Sequence, residues 1–272
     1  GHSVAMTGDG VNDILALKEA DCSIAMGNGS DAARQAAQVV LLKSDFSALP
    51  GLLLEGRRVV NNVTRAAGVF FIKTIYSVVM TLICVLANIP FPFLPIQITL
   101  IDAAIEAYPS FATAFEADGR RIRKKFLPAA LRSALPNAAA IIMAFLLINF
   151  ISGIGLFEIG MIEKTTILYF ITGLISMQAV VKNNIPFTKL RLFVMITMAA
   201  GYFGAVFLFS HQLGLEMALN TGAILLLGAV LVIAFGIERL LTKCVRNYDR
   251  RKMTVDGRLS LNVHSTLQKE DQ

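Results

Sequence analysis

Charge is what this sequence has least of. Asp, Glu, Lys and Arg make up 16% of its 272 residues against 55% hydrophobic residues, with a mean hydropathy of +0.64. That balance excludes an ordinary soluble protein. Cysteine is scarce as well. Cys22, Cys84 and Cys244 lie far apart and form neither a CxxC pair nor a disulfide framework, which excludes a stapled secreted domain and leaves Cys22 suited to a reducing cytosol. No signal peptide precedes the first strand-like run, and no repeat or low-complexity stretch stands out. The chain opens on Gly1 without an initiating Met, as expected of a fragment. A net charge of +6 would suit nucleic acid, but the basic residues gather at the ends of apolar runs, as membrane anchors do, so no nucleic-acid partner is expected.

What is present starts with Thr7-Gly8-Asp9-Gly10-Val11-Asn12-Asp13, set between a strand-like run at 4–6 and a helical pattern at 11–20. Gly8 and Gly10 admit turn conformations closed to other residues and let a ligand approach the backbone. Asp9 and Asp13 stand four apart across a turn entering a helix, so both can face one point. Hard oxygen donors gathered this way suit Mg2+ shared with a phosphate. The alternation continues with a strand at 23–26, a helix at 30–38 capped by Ser30 or Asn28, a strand at 39–42 and a helix at 49–62 carrying Glu55, Arg57 and Arg58. Alternating β/α structure implies a parallel sheet.

Six apolar segments follow, at 66–88, 94–115, 135–157, 165–181, 192–209 and 217–237, each near the length a bilayer requires. Arg120, Arg121, Arg123, Lys124, Lys125 and Arg132 fall between the second and third. Lys182, Lys189 and Arg191 fall between the fourth and fifth, and Arg239, Lys243, Arg246, Arg250, Arg251 and Lys252 follow the last. The other connections, 89–93, 158–164 and 210–216, hold one Lys and no Arg. The basic side is therefore expected in the cytoplasm, together with the N-terminal part and the tail. The expected division is 1–62, an α/β part and stalk helix; 63–240, an all-α membrane domain; and 241–272, a cytoplasmic tail.

The second span carries Asp102 and Glu106 on one helix face, with Thr99, Ser110 and Thr113 on or beside it. Pro109 lacks the N–H that would bond the carbonyl of Ile105. An acid at mid-bilayer is costly and marks a site by default. Carboxylates, hydroxyls and freed carbonyls form an oxygen cage for a hard cation such as Ca2+. In the first span Lys73 and Ser77 share a face, with Thr74 adjacent. Lys73 either snorkels to the interface or serves as a counter-charge to Asp102 or Glu106. Tyr76 reads as packing, and Gln178 and Asn149 read as inter-helix hydrogen bonds.

The run Thr7 to Asp13 resembles the hinge motif of P-type ATPases. The similarity continues through Ala16-Leu17-Lys18, Ile24-Ala25-Met26-Gly27, Val39-Val40-Leu41-Leu42, Glu55-Gly56-Arg57-Arg58 and Asn61-Asn62, and is close to about Phe126. The resemblance implies the C-terminal part of a Rossmann-like, haloacid dehalogenase-type phosphorylation domain, α/β in class, followed by six transmembrane helices. It implies that Asp9 holds Mg2+, that Asn12 contacts the phosphoryl group, and that Asp13 holds the local geometry and helps orient the metal. ATP would be the energy source, with its site mostly outside these residues. The aspartate that is phosphorylated in the family lies in an Asp-Lys-Thr-Gly sequence absent here, so these residues alone are expected not to hydrolyse ATP.

Matching Asn62 and Pro109 to the family places Thr74, Ser77, Asp102 and Glu106 at positions that bind the transported cation. The stretches Lys73 to Ser77 and Ile101 to Phe111 look most like a bacterial subgroup resembling calcium pumps, in a plasma membrane. Pumps for soft metals end with fewer spans and use Cys and His, whereas Cys84 is the one Cys and no His falls in these spans. The implied function is export of Ca2+ or another hard cation through an aspartyl-phosphate intermediate. The partners would be the cation, membrane lipid and an N-terminal part of the same protein. Alternatives are a pump for Mg2+, K+, Na+ or H+, a haloacid dehalogenase-type phosphatase domain on a membrane anchor, and a channel or carrier with a vestigial domain.

Overall fold

The computed structural model describes residues 2–270 except 117, 123, 124, 156 and 158, with side chains as far as Asp249. Arg123 and Lys124 of the basic loop therefore lie outside the described residues, as do the side chains of Arg250, Arg251 and Lys252. The chain divides into two compact units, residues 1–59 with 119–121, and residues 60–118 with 122–272.

The first unit is built on three parallel strands in the order β1 (Ala5–Gly8), β2 (Cys22–Met26), β3 (Val39–Leu41). Ala5 pairs with Cys22 and Ile24 with Val39. Parallel neighbours need crossovers, which α1 (Ile14–Glu19) and α2 (Asp31–Ala36) supply. β2 is central, and its Ser23, Ile24 and Ala25 are buried with Leu17 of α1 and Ala33 of α2. Ser30 caps α2 by accepting the Ala33 N–H at 3.1 Å, so of the two expected caps it is Ser30 that acts. The expected helix at 11–20 opens instead with a single 3-10 turn, Val11–Asp13.

The expected stalk at 49–62 and first span at 66–88 are one unbroken helix, α3 (Ala48–Ala87), 40 residues long. Nothing between Asn62 and Ala66 breaks a helix, and the Thr64 hydroxyl bonds back to the Val60 carbonyl at 2.6 Å. At 1.5 Å per residue it measures about 60 Å, roughly twice a hydrocarbon core. Its buried residues Val69, Ile72, Tyr76, Met80 and Cys84 recur every three or four positions, one face of a helix.

The second expected span is not one regular helix. It is helical from Pro95 to Ala112 but in three pieces, α4 (Pro95–Ile101), a π turn (Asp102–Ala107) and α5 (Tyr108–Ala112). Five of the six expected spans are single helices long and apolar enough to cross a membrane among the described residues: α3, α6 (Phe126–Gly153), α7 (Met161–Asn183), α8 (Lys189–Leu208) and the first part of α9 (Thr221–Glu270). The interruption has a local cause. Pro109 cannot donate to the carbonyl four residues back, and the ladder ahead of it widens, with the Tyr108 N–H reaching Ala103 O. Residues 241–270, expected as a polar tail, continue α9.

α6 packs on α7 and α9, and its Ala134, Ala138 and Ala144 are buried, small residues of the kind that let helix backbones approach closely. Gln178 does bond between helices, donating to the buried Glu238 at 2.8 Å beside Lys182 at 2.6 Å. Asn149 instead donates to Phe145 O within its own helix. Tyr76, Phe93, Tyr169 and Tyr202 form an aromatic column, with successive ring centroids 6.3, 6.5 and 5.9 Å apart.

The end of α5 is tied down by polar contacts. Asn62 donates to Ala114 O at 2.5 Å and Glu116 O at 3.1 Å, and Arg65 donates to Thr113 O at 2.9 Å. Glu116 accepts from the Thr188 hydroxyl and from the buried Arg191 guanidinium, which also donates to Asn184 O and Pro186 O, both at 3.2 Å. Burial works against the Glu116 charge, but Thr188 and Arg191 outweigh it and hold the carboxyl below its ordinary range. A carboxyl lowered on folding stabilises the protein above its unfolded value of about 4.3, and that contribution is lost as pH falls through the lower folded value. Glu116→Gln should remove the acid-sensitive part of the melting profile below about pH 4 and cost about 3 kcal/mol at neutral pH, because Arg191 keeps its buried charge. Thermal melts of both proteins between pH 7 and pH 3 check this; parallel profiles would refute it.

Candidate functional site

The turn after β1 is shaped by Asp13. Its Oδ2 accepts the backbone N–H of Asp9 at 3.1 Å and of Gly10 at 3.0 Å. The Asp9 carbonyl accepts the Ser30 N–H at 2.7 Å. With both ends of the Asp9 peptide held, its side chain stands exposed, as does that of Asn12. One Asp13 oxygen is thus committed to the turn, while the Asp9 carboxylate remains available to solvent. Gly8 is buried against this arrangement, and a Cβ there would lie 2.5 Å from Asp13 Cβ, too close for both. Gly8→Ala should push Asp13 off the turn, at about 1–3 kcal/mol for an overpacked site. Hydrogen exchange at the Asp9 and Gly10 amides should rise; unchanged exchange would show that Asp13 does not organise the turn.

The second cluster lies where the π turn meets α3. Lys73 Nζ sits 2.5 Å from Asp102 Oδ2, with both side chains half-buried. Among the described residues, the Asp102 Oδ1 atom is buried without a partner. Glu106 is fully buried, and neither of its carboxylate oxygens has a partner. Tyr76 is also fully buried with an unpartnered hydroxyl. Ser77 is half-buried, whereas Thr74 is exposed and its hydroxyl bonds back to Phe70 O at 3.2 Å. Thr99 and Thr113 likewise bond carbonyls of their own helix, Pro95 O at 2.9 Å and Pro109 O at 2.8 Å.

Buried polar atoms without partners are rare and call for a water, an ion or a strain to explain them. Sequence reasoning passed over several of them here. Tyr76 read as packing, and Thr172 and Ser176 of α7 were not singled out, yet both are fully buried with unpartnered hydroxyls. α7 and α8 both pack on the π turn. The available signal was the spacing of Tyr169, Thr172, Gly173 and Ser176, a polar stripe on one face of an otherwise apolar helix. Gly173 makes room in it, since a Cβ there would lie 2.3 Å from the Tyr202 hydroxyl.

Among the described residues no group of three or more His, Cys, Asp and Glu side chains is placed to hold a metal ion. A soft-metal or carboxylate-only centre is therefore not formed by them. The donor set around the π turn consists of two acids and several hydroxyls, with one ammonium already seated on Asp102.

Residues 2–50 match the haloacid dehalogenase-like hydrolase family. The chain is 39% identical over 251 residues to a probable cation-transporting ATPase, exp7, of Streptococcus pneumoniae, a match covering 89% of this chain and 32% of that protein. It is 44% identical over 147 residues to the calcium-transporting ATPase CtpE of Mycobacterium bovis, covering 50% of this chain and 18% of that protein. It is 36% identical over 156 residues to the human sodium/potassium-transporting ATPase subunit alpha-2, covering 57% and 15% respectively. The chain thus spans a third or less of the length of these relatives.

Proposed function

We propose that this chain, which belongs with the P-type cation-transporting ATPases, is the part of such a pump that joins its phosphate-handling turn to its cation site. The cation would be Ca2+ or another hard cation, exported across a plasma membrane with the N-terminal unit and the end of α9 in the cytoplasm. The observation that carries this reading is Glu106, a carboxylate wholly buried in the π turn of the expected second span, with neither oxygen partnered among the described residues. An isolated buried charge of that kind is too costly to persist without a ligand or a proton.

In the cation site Glu106 would be the principal ligand, joined by Asp102 Oδ1, the Tyr76 hydroxyl and Ser77. The α7 hydroxyls Thr172 and Ser176 are candidates for the same cage. Thr74, which the family pattern also suggests as a ligand, would have to give up its bond to Phe70 O and turn inward. Lys73 would be a resident counter-charge, neutralising Asp102 so that one acid remains to attract cargo.

The exposed carboxylate of Asp9, set by a turn whose amides are already satisfied, has the hard oxygen chemistry that Mg2+ requires. Bound there, Mg2+ would offset the negative charge of a transferring phosphoryl group. Asp13 would keep the turn in shape, Gly8 and Gly10 would let the phosphoryl group approach, and Asn12 would donate to one of its oxygens. ATP and the phosphorylated aspartate would come from the rest of the pump.

The continuous α3 begins just after β3 and carries Lys73, Tyr76 and Ser77. A displacement of the turn would reach the cage by way of α3, the one described helix that has residues in both units. Inserting three glycines after Asn62 in the full-length pump should uncouple ATP hydrolysis from cation uptake into inverted vesicles. Unaltered ions transported per ATP would refute that role for α3.

A further inference from the structure

A cavity of about 210 Å3 lies at the end of α3 remote from Ala48, walled by Ile89, Pro92, Phe145, Ile148 and Leu168. Phe145, Ile148 and Leu168 are buried, whereas Pro90, Asn149 and Met161 are exposed and form its mouth. Lys164 and Thr165 line it as well and are half-buried. No residue of the cation cage takes part.

Lys164 is the unusual member. Of the three connections on this side, 89–93, 158–164 and 210–216, it is the one Lys or Arg. The positive-inside rule depletes basic residues there, so this ammonium has not been kept as a topological anchor. Among the described residues no carboxylate pairs with it, although Glu163 next to it is engaged by Gly160 and Asn220. A lysine lining an apolar cavity with no carboxylate partner among the described residues, and with Thr165 lining it too, offers a cation and a donor to an anionic head and hydrocarbon to a chain. The volume is below the range of roughly 300–1,000 Å3 typical of pockets for drug-sized ligands, which fits the end of one acyl chain rather than a whole small molecule.

We propose that this cavity seats an anionic phospholipid of the outer leaflet, its phosphate on Lys164 and Thr165 and part of one acyl chain against Phe145, Ile148 and Leu168. The inference rests on the membrane reading of the chain but not on which cation is carried.

The test uses the full-length protein purified in mild detergent from membranes containing phosphatidylglycerol and phosphatidylcholine, with retained lipid counted by native mass spectrometry. Wild type should retain phosphatidylglycerol in preference to phosphatidylcholine. Lys164→Gln should lower that retention about tenfold, the scale of one charge-assisted hydrogen bond. Lys164→Arg should preserve it. Asn149→Phe, which changes an exposed residue at the mouth, should reduce retention of both lipids by closing the entrance. Equal retention of the two lipids by wild type, or undiminished retention by Lys164→Gln, would overturn the proposal. Displacement by free fatty acid but not by added phosphatidylglycerol would overturn it too, since the carboxylate would then be the true ligand. Lipid retention is read without any transport assay, so failure of the pump reading leaves this result separately interpretable.

Discussion

Glu106→Gln in the full-length pump should shift cation stimulation of ATP hydrolysis to far higher cation concentration while leaving the protein folded. Gln keeps the size and the two polar atoms of Glu but carries no charge. In the cage proposed for the π turn, Glu106 is the one acid not already balanced by a lysine. Removing one partner of a buried charge interaction costs roughly 2–5 kcal/mol, so apparent cation affinity should fall about thirtyfold or more. Folding should be unharmed or improved, because an unpaired buried carboxylate is itself a burden on the apo protein. The two effects run in opposite directions, which separates a ligand from a structural acid. The check is a titration of ATPase activity with Ca2+, set beside a thermal melt. A variant that melts earlier and keeps its cation affinity would show Glu106 to be structural.

The parts of the fold that were legible in the sequence are those with local causes. The strands at 4–6, 23–26 and 39–42 and the helices between them follow from apolar alternation and turn chemistry, and the structure places β1, β2 and β3 within a residue or two of them. The pairing of acids at Asp102 and Glu106 was visible because charge is so rare inside a span. What was not legible depended on competition between neighbours. Hydropathy counts residues and does not register that Pro109 withdraws a donor, so the second span read as one helix when its ladder widens into a π turn. The polar residues from Asn61 to Arg65 suggested a boundary between stalk and span. A helix is indifferent to a polar turn provided nothing breaks it, and α3 runs through. Tyr76 was passed over for a related reason. Its ring fits an apolar helix face, and only the three-dimensional neighbourhood reveals that its hydroxyl is buried with no partner among the described residues.

The same neighbourhood gives Lys73 an acidic partner beside the proposed cage. Its position, two turns into a span, is equally compatible with snorkelling and with pairing, and the structure has it on Asp102 at 2.5 Å. In the proposed cage, with both acids ionised, two carboxylates and one ammonium would leave a single net negative charge, which would suit one divalent ion better than two. Lys73→Met should therefore raise the number of divalent ions bound. Asp102 would regain both oxygens and the cage would hold two negative charges instead of one. With opposite charges a few ångströms apart in a medium of effective dielectric near 20, one extra unit of charge is worth about 4 kcal/mol before desolvation is subtracted. Apparent Ca2+ affinity should rise by tenfold or more even if most of that is lost. Tighter binding need not mean faster pumping, since an ion held too well in the uptake state is released slowly, so turnover should fall as affinity rises. Lys73→Arg, which keeps the charge, should leave stoichiometry unchanged. Equilibrium dialysis with radioactive Ca2+ measures both quantities. If Lys73→Met binds no more ions, and no more tightly, than wild type, the ammonium is not a resident counter-ion and Asp102 belongs to the scaffold rather than to the cage.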